Sequence, residues 1–345
     1  MRQRQLPRFY CGCKLVVALC LLAGLGVTIN AAIAQPPSSG PHEHPAGRGH
    51  RHRREPMKKI DLPAPEVTIA VEGDFRVIRA NGLPRHQTGD FPTRGNPNAI
   101  RPQQHQIKIP LQPKVKSDPT PARPEFGIAL NGVIFDAGTA EFWTATNSRT
   151  FGGGPGRGGR SAWNYEALGG GVNLGLDHNH AHVQPTGKYH YHGLPTGLLE
   201  KLGATDSSPK MVQVGWAFDG FAIYGPWGYD DANNARSELR PLKSSYRLKA
   251  GTRPEPPRGP GGKYDGKFGL DWQYVEGLGD LDECNGRTGV TPEFPDGTYY
   301  YVITQQFPSV PRMWRGEPDR SSQRRPAHRG RGERRGPGGW PPPRR

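Results

Sequence analysis

The stretch HNHAHVQPTGKYHYH, residues 178–192, holds five of the twelve histidines of this 345-residue chain. The Pro-Thr-Gly at 185–187 is typical of a three-residue hairpin loop. Proline presets the first turn residue, and glycine takes the left-handed position that follows. Gln184 and Lys188 then form the closing pair. The stretch therefore predicts two short antiparallel strands joined by a tight turn.

The register of this hairpin decides where the histidines lie. Counting outward from the loop places His182 opposite His190 and His180 opposite His192. Side chains alternate between the two faces of a strand, so we expect these four imidazoles on one face. One loop residue more or fewer would separate the two pairs. The other face receives an apolar set suited to a core: Ala181, Val183, Tyr189 and Tyr191.

A two-by-two grid of imidazoles is suited to binding a metal ion. Cross-strand neighbours lie about 5 Å apart at Cβ, and neutral imidazole is a good ligand for zinc, copper, iron and nickel. We expect His182, His190 and His192 to bind one divalent transition metal, Cu²⁺ or Zn²⁺, with His180 as a fourth candidate. A hydrogen-bonded histidine ladder, a pH-sensitive patch and direct acid–base chemistry by histidine remain alternatives.

Outside the hairpin, short β-branched and aromatic runs bounded by turn residues predict strands. They are VTIAV (67–71), FRVIRA (75–80), QIKI (106–109), GIALNGVIF (127–135), MVQVGWAF (211–218), FAIYG (221–225) and TYYYVIT (298–304). Asp219-Gly220 predicts a two-residue hairpin turn, and LPTGLLEKLG (194–203) suggests a short helix. We therefore expect a mainly β fold: a single sandwich- or barrel-like domain of short antiparallel strands with long loops, spanning residues 61–318.

Residues 1–34 have the layout of a secretory signal peptide. A basic start precedes an apolar run from Leu15 to Ile29, and small residues follow up to a predicted cleavage site after Ala34. The run is shorter than the roughly 20 residues that span a bilayer. An exported protein, periplasmic, at the cell surface or extracellular, is therefore expected, with no membrane span after cleavage. An uncleaved anchor is the alternative.

The net charge of +15 is confined to the ends of the chain, since residues 61–314 are formally neutral. Two end segments have few apolar side chains to bury and are expected to be disordered. They are residues 35–60, rich in histidine and proline, and residues 319–345, rich in arginine, glycine and proline. They are either solvated tails or contacts for an anionic surface or polysaccharide. Basic charge of this kind does not indicate a specific nucleic-acid reader.

Several separated motifs occur in an order that resembles the YHYH-domain family of exported proteins. The motifs are NGLPRHQTGDFPTRGNPNAI (81–100), AHVQPTGKYHYHGLP (181–195), DGFAIYGP (219–226), SSYRLKAGTRP (244–254) and GDLDECNGRTGVTPEFPDGTYYYV (279–302). The resemblance runs from about Val67 to Asp319. It implies histidines at the positions of His182, His190 and His192, whereas His178 and His180 fall where other residues are usual.

Two classes of function follow from these observations. One is an exported module that holds copper or zinc. The other is a metal-dependent enzyme, for example a hydrolase, because three histidines and an open position also describe a catalytic zinc site. Cys284, the one cysteine outside the leader, is a nucleophile, a soft ligand or a buried apolar side chain. The carboxylates that could complete a metal site are Asp177, Asp219, Asp280, Asp282 and Glu283.

Overall fold

A computed structural model describes residues 55–122, 124–145, 147–150 and 161–319. The predicted signal peptide lies outside these ranges, as do most of both predicted tails. Within them the strands are β1 (Val67–Glu72), β2 (Phe75–Ala80), β3 (His105–Pro110), β4 (Thr120–Pro121), β5 (Glu125–Ala129), β6 (Ile134–Asp136), β7 (Phe142–Thr144), β8 (Asn147–Thr150), β9 (Ala181–Val183), β10 (Tyr189–Tyr191), β11 (Gln213–Ala217), β12 (Ala222–Tyr224), β13 (Trp227–Tyr229), β14 (Leu239–Pro241), β15 (Tyr246–Leu248), β16 (Trp272–Tyr274), β17 (Gly286–Gly289), β18 (Thr298–Val302) and β19 (Met313–Trp314). Helix α1 is Thr196–Lys201, and a 3₁₀ turn covers Gly269–Asp271.

The largest element is an eight-stranded sheet in the order β17-β18-β12-β11-β5-β6-β10-β9. Neighbouring strands are antiparallel except β12·β18 and β6·β10, which are parallel. The sheet stays open, so β17 and β9 are its edges and the predicted barrel form does not occur. A mainly β fold of short, mostly antiparallel strands is confirmed, with parallel pairing at these two positions.

A second, three-stranded sheet has the order β1-β2-β3 and is antiparallel throughout. Its buried residues, among them Ile78 and Ile109, join the core residues of the large sheet in one apolar cluster. Aromatic side chains such as Phe126 and Tyr301 supply much of that core. The two sheets are therefore held together by a shared apolar interior, which is the largest favourable term in such a fold.

Both predicted hairpin turns occur, one of them with a longer loop than predicted. At the Pro-Thr-Gly loop, Gln184 N–H donates to the Lys188 carbonyl at 2.9 Å, and Gly187 takes a left-handed φ of 85°. Asp219-Gly220 also lies in a hairpin turn, between β11 and β12, but its loop has three residues, 218–220, rather than two, because Ala217 N–H donates to the Phe221 carbonyl at 2.9 Å. The run GIALNGVIF, predicted as one strand, is instead the hairpin β5–β6, because Asn131 and Gly132 form a turn with φ of 83° at the glycine.

The helix in 194–203 is also confirmed, as α1. Within the described ranges, no helix has the length and apolar character needed to cross a bilayer. Upstream of β1, Met57 N–H donates to the Pro97 carbonyl at 2.8 Å. The folded contacts therefore begin a few residues before the predicted boundary at residue 61.

Candidate metal centre

The hairpin β9–β10 presents histidines in the register that the loop predicts. His182 is the direct cross-strand partner of His190, and Tyr191 pairs with Ala181. His192 follows two residues after His190 and so lies on the same face. The ligand nitrogens of His182, His190 and His192, the histidine trio, all lie within 4.8 Å of one another.

The three rings pack closely and are largely removed from water. His190 is 1% exposed and His192 is 6% exposed, whereas His182 is half-buried. Ring centroids are 4.7 to 5.0 Å apart. The shortest approach joins Nε2 of His192 to Nε2 of His182 at 3.2 Å. The trio is therefore a compact cluster of nitrogen atoms that could ligate a metal, and solvent reaches it on the side of His182.

Backbone carbonyls orient the rings from behind. His182 Nδ1 donates to the Leu174 carbonyl at 2.8 Å, and His190 Nδ1 donates to the Lys188 carbonyl at 3.2 Å. A carbonyl oxygen only accepts, so in the neutral form of each ring Nε2 carries the free lone pair. Histidines that ligate metals usually donate their other ring nitrogen in this way.

Burial keeps these imidazoles in the neutral form that coordinates metals. It lowers the pKa of His182 and holds the pKa of both His190 and His192 well below the ordinary histidine value. The neighbouring imidazoles and the positive charge of Lys188 add to the effect at His190. All three rings are therefore expected to be neutral at neutral pH.

His180 does not join the trio. Strand β9 begins at Ala181, and His180 has a left-handed φ of 52° as the last residue of a turn that starts at Asp177. Alternation therefore stops before His180, although its carbonyl still accepts from His192 N–H at 2.8 Å. The His180 ring bonds the Leu194 carbonyl through Nδ1 at 2.9 Å. The expectation that four imidazoles share one face is wrong at this position.

Asp136 is a neighbour of the trio that the sequence reasoning missed. It ends β6, which runs parallel to β10 with Ile134 beside His190. Its Oδ2 lies 3.9 Å from His190 Nε2, and its backbone hydrogen-bonds the His192 ring. Only 3% of Asp136 is exposed, and burial raises the pKa of its carboxyl to about 6.

The carboxylates singled out from the sequence have other partners. Asp177 caps the turn before β9 and accepts from the Tyr189 hydroxyl at 2.7 Å. Asp219 is fully buried and accepts from Gly316 N–H at 2.8 Å. The remaining three form ion pairs with arginines: Asp280 with Arg240, and Asp282 and Glu283 with Arg315.

Cys284 is fully buried in the apolar cluster, far along the chain from the hairpin. Burial, reinforced by the nearby charge of Asp282, raises the pKa of its thiol to about 12. The thiolate is the reactive and metal-binding form of cysteine. The geometry therefore favours the buried apolar interpretation of Cys284 over a nucleophile or a soft ligand.

The opposite face of the hairpin belongs to the core, as predicted. Tyr189 and Tyr191 are fully buried there, and Asn131 donates to the Tyr191 hydroxyl at 2.9 Å. The His86 ring hydrogen-bonds the same hydroxyl. The alternation Tyr-His-Tyr-His at 189–192 thus assigns its tyrosines to the fold and its histidines to the site.

A family model described as "YHYH protein" matches residues 106–316, which is more than half of the chain and includes the trio and Asp136. The chain belongs to the YHYH protein family. The resemblance read from the motifs is confirmed, although the motif at 81–100 lies outside the matched range. Neither the curated proteins nor the solved structures gave a match to the chain.

Proposed function

We propose that this member of the YHYH family is an exported module that binds one divalent transition metal, Zn²⁺ or Cu²⁺, through the histidine trio. The observation that carries the proposal is the 3.2 Å separation of His182 Nε2 and His192 Nε2. Two nitrogens on one tetrahedral zinc ion, with bonds of 2.0–2.1 Å, lie about 3.3 Å apart. These two nitrogens thus have the spacing that a shared ion requires, and the ligand nitrogens of all three rings lie within 4.8 Å of one another.

The surroundings of the trio support the same function. Backbone carbonyls bind the outer nitrogens of His182 and His190, which aims Nε2 of each ring. The neutral state imposed by burial removes the competing protons that weaken binding to histidine ligands. The support for export is the layout of residues 1–34. A module that holds the ion, rather than an enzyme, is proposed because the five carboxylates named from the sequence all have other partners.

The test is calorimetric titration of the whole metal-stripped chain with Zn²⁺ and Cu²⁺. We expect one tight site in the unaltered protein and its loss in the His190→Ala/His192→Ala double variant. Because the ion binds only the folded state, it should also raise the melting temperature. At a free-ion concentration of one hundred times Kd, binding adds about 2.7 kcal/mol to the free energy of unfolding.

His180→Ala is the matched control, because it removes a histidine of the same hairpin whose ring lies outside the trio. It should retain the tight site and the metal-induced rise in melting temperature. A folded double variant that still binds one ion tightly would refute the trio as the site. An equal loss in His180→Ala would restore the four-histidine version.

A further inference from the structure

Asp136 is a buried carboxylate with few partners. Its Oδ1 accepts from Gly138 N–H at 3.1 Å, and its Oδ2 accepts from Gln184 Nε2 at 3.3 Å. Both contacts are long for hydrogen bonds to an ionised group. Asp219, which is as deeply buried, instead accepts from the Tyr301 hydroxyl and from two backbone N–H groups.

The cations near Asp136 are engaged by other acids. Lys188 forms an ion pair with Glu125, and Arg312 pairs with Glu166 at 2.5 Å. The nearest ring nitrogen, His190 Nε2, lies 3.9 Å from Asp136 Oδ2, which is beyond hydrogen-bonding distance. Buried charges in proteins are normally paired or bound to a metal. The carboxylate therefore lies beside the His190 ring of the trio, and its two hydrogen-bond donors, Gly138 N–H and the Gln184 amide, are both uncharged.

We infer that Asp136 is the fourth ligand of the metal site, coordinating through Oδ2 and supplying the negative charge that makes the site selective for divalent over monovalent ions. This inference rests on the proposed function of the trio. Oδ2 lies 3.9 Å from His190 Nε2, so a movement of under about 1 Å brings the two atoms to the separation expected for ligands of one ion.

The charge argument gives the inference a distinctive consequence. The attraction between a carboxylate and an ion scales with the charge of the ion, so it is twice as large for Zn²⁺ as for Cu⁺. Removing the charge of Asp136 should therefore weaken Zn²⁺ binding far more than Cu⁺ binding.

Asp136→Asn tests this, because asparagine keeps the shape and the acceptor for Gly138 while removing the charge. We expect the Zn²⁺ Kd to rise about 100-fold and the Cu⁺ Kd about 10-fold, with Cu⁺ measured under reducing conditions. Asp219→Asn is the matched control for loss of a buried carboxylate and should leave both constants within about two-fold by the same reasoning. Each titration uses the whole chain. A variant with alanine at all three trio positions measures the background binding by histidines outside the described residues, which are His42, His44, His50, His52 and His328.

The outcomes separate this inference from the proposed function. If the unaltered chain shows no tight Zn²⁺ site, the function itself fails. If that site is present and Asp136→Asn binds Zn²⁺ as well as the unaltered chain, or loses Zn²⁺ and Cu⁺ affinity equally, the fourth ligand is refuted while the trio stands. Should Asp136→Asn not fold, a crystal structure of the zinc-loaded chain decides. An Asp136 oxygen about 2.0–2.2 Å from zinc supports the inference, and a water molecule between them overturns it in favour of an enzyme-like open position.

Discussion

At the scale of single residues, the hairpin shows how one strand can serve the fold and the site together. Tyr189 and Tyr191 bury their rings in the core, while His190 and His192 point to the other face and are also buried. A strand covered on both faces holds its side chains more rigidly than an exposed one, and a metal site needs ligands held within about 0.5 Å. The burial of Tyr189 and Tyr191 in the core therefore helps to hold the histidine ligands in position.

Histidines held neutral by burial should make the protein sensitive to acid, and His105 permits a clean test. Burial lowers the pKa of His105 to about 4, and its Nε2 makes no hydrogen bond within the described residues. The unfolded chain, with a histidine pKa of about 6.5, takes up the proton first as pH falls. The contribution of His105 to stability is thus complete above pH 6.5 and is lost between pH 6.5 and pH 4.

His105→Gln should remove this loss, which amounts to about 3 kcal/mol from a shift of this size. Urea unfolding of the metal-free protein and of the variant, each at pH 7.5 and at pH 4, measures how far the free energy of unfolding of each falls on acidification. The variant should lose about 3 kcal/mol less on acidification. Equal losses in the two proteins would show that folding does not lower the pKa of His105.

At the scale of elements, the sequence predicts the turns, whose residues impose local backbone angles, but it does not predict which distant strands pair. The loops at 185–187 and 219–220 were predicted because proline and glycine impose particular backbone angles. The turn at Asn131-Gly132 carried an equally clear signal but was read as part of a strand. The parallel pairing of β6 with β10 joins residues more than fifty positions apart and leaves no local pattern. Asp136 was missed for that reason.

The prediction at this scale concerns Gly187, which fixes the register of the hairpin. It has a φ of 85°, and a Cβ placed there would meet the Arg101 side chain at 2.3 Å. Gly187→Ala should therefore cost more than the roughly 1–2 kcal/mol that a left-handed non-glycine residue costs. It should also weaken Zn²⁺ binding, because the turn sets which histidines face each other.

Gly73→Ala is the matched control. Gly73 turns the hairpin β1–β2 with a φ of 59°, and a Cβ there meets nothing within 4 Å. Its cost should stay near the strain alone, about 1–2 kcal/mol, without any change in Zn²⁺ affinity. Thermal unfolding and calorimetry compare the two variants. Equal destabilisation with unchanged metal binding in both would mean that the Gly187 turn does not hold the site.

At the scale of the whole molecule, the net positive charge and the folded residues lie in different parts of the chain. Residues 61–314 are formally neutral, and the positive charge belongs to the ends. Contact of those basic ends with an anionic surface or a polysaccharide remains a hypothesis, since they lie almost wholly outside the described residues. The trio and Asp136 lie within the neutral part. Metal binding should therefore not depend on the ends.

The last prediction follows from that division. The described contacts begin near Met57 and continue past Gly316, whose N–H donates to Asp219 at 2.8 Å, to the ion pair of Glu317 with Lys116. A fragment of residues 55–319 should therefore fold as the whole chain does, with a melting temperature within a few degrees, and bind one Zn²⁺ with the same affinity. A fragment of residues 61–318 lacks the bond from Met57 and the ion pair between Lys59 and Asp90, and should melt slightly lower. Circular dichroism and calorimetry of both fragments beside the whole chain measure these differences. Aggregation of the longer fragment, or loss of its Zn²⁺ site, would show that the ends contribute to the fold or to the metal centre.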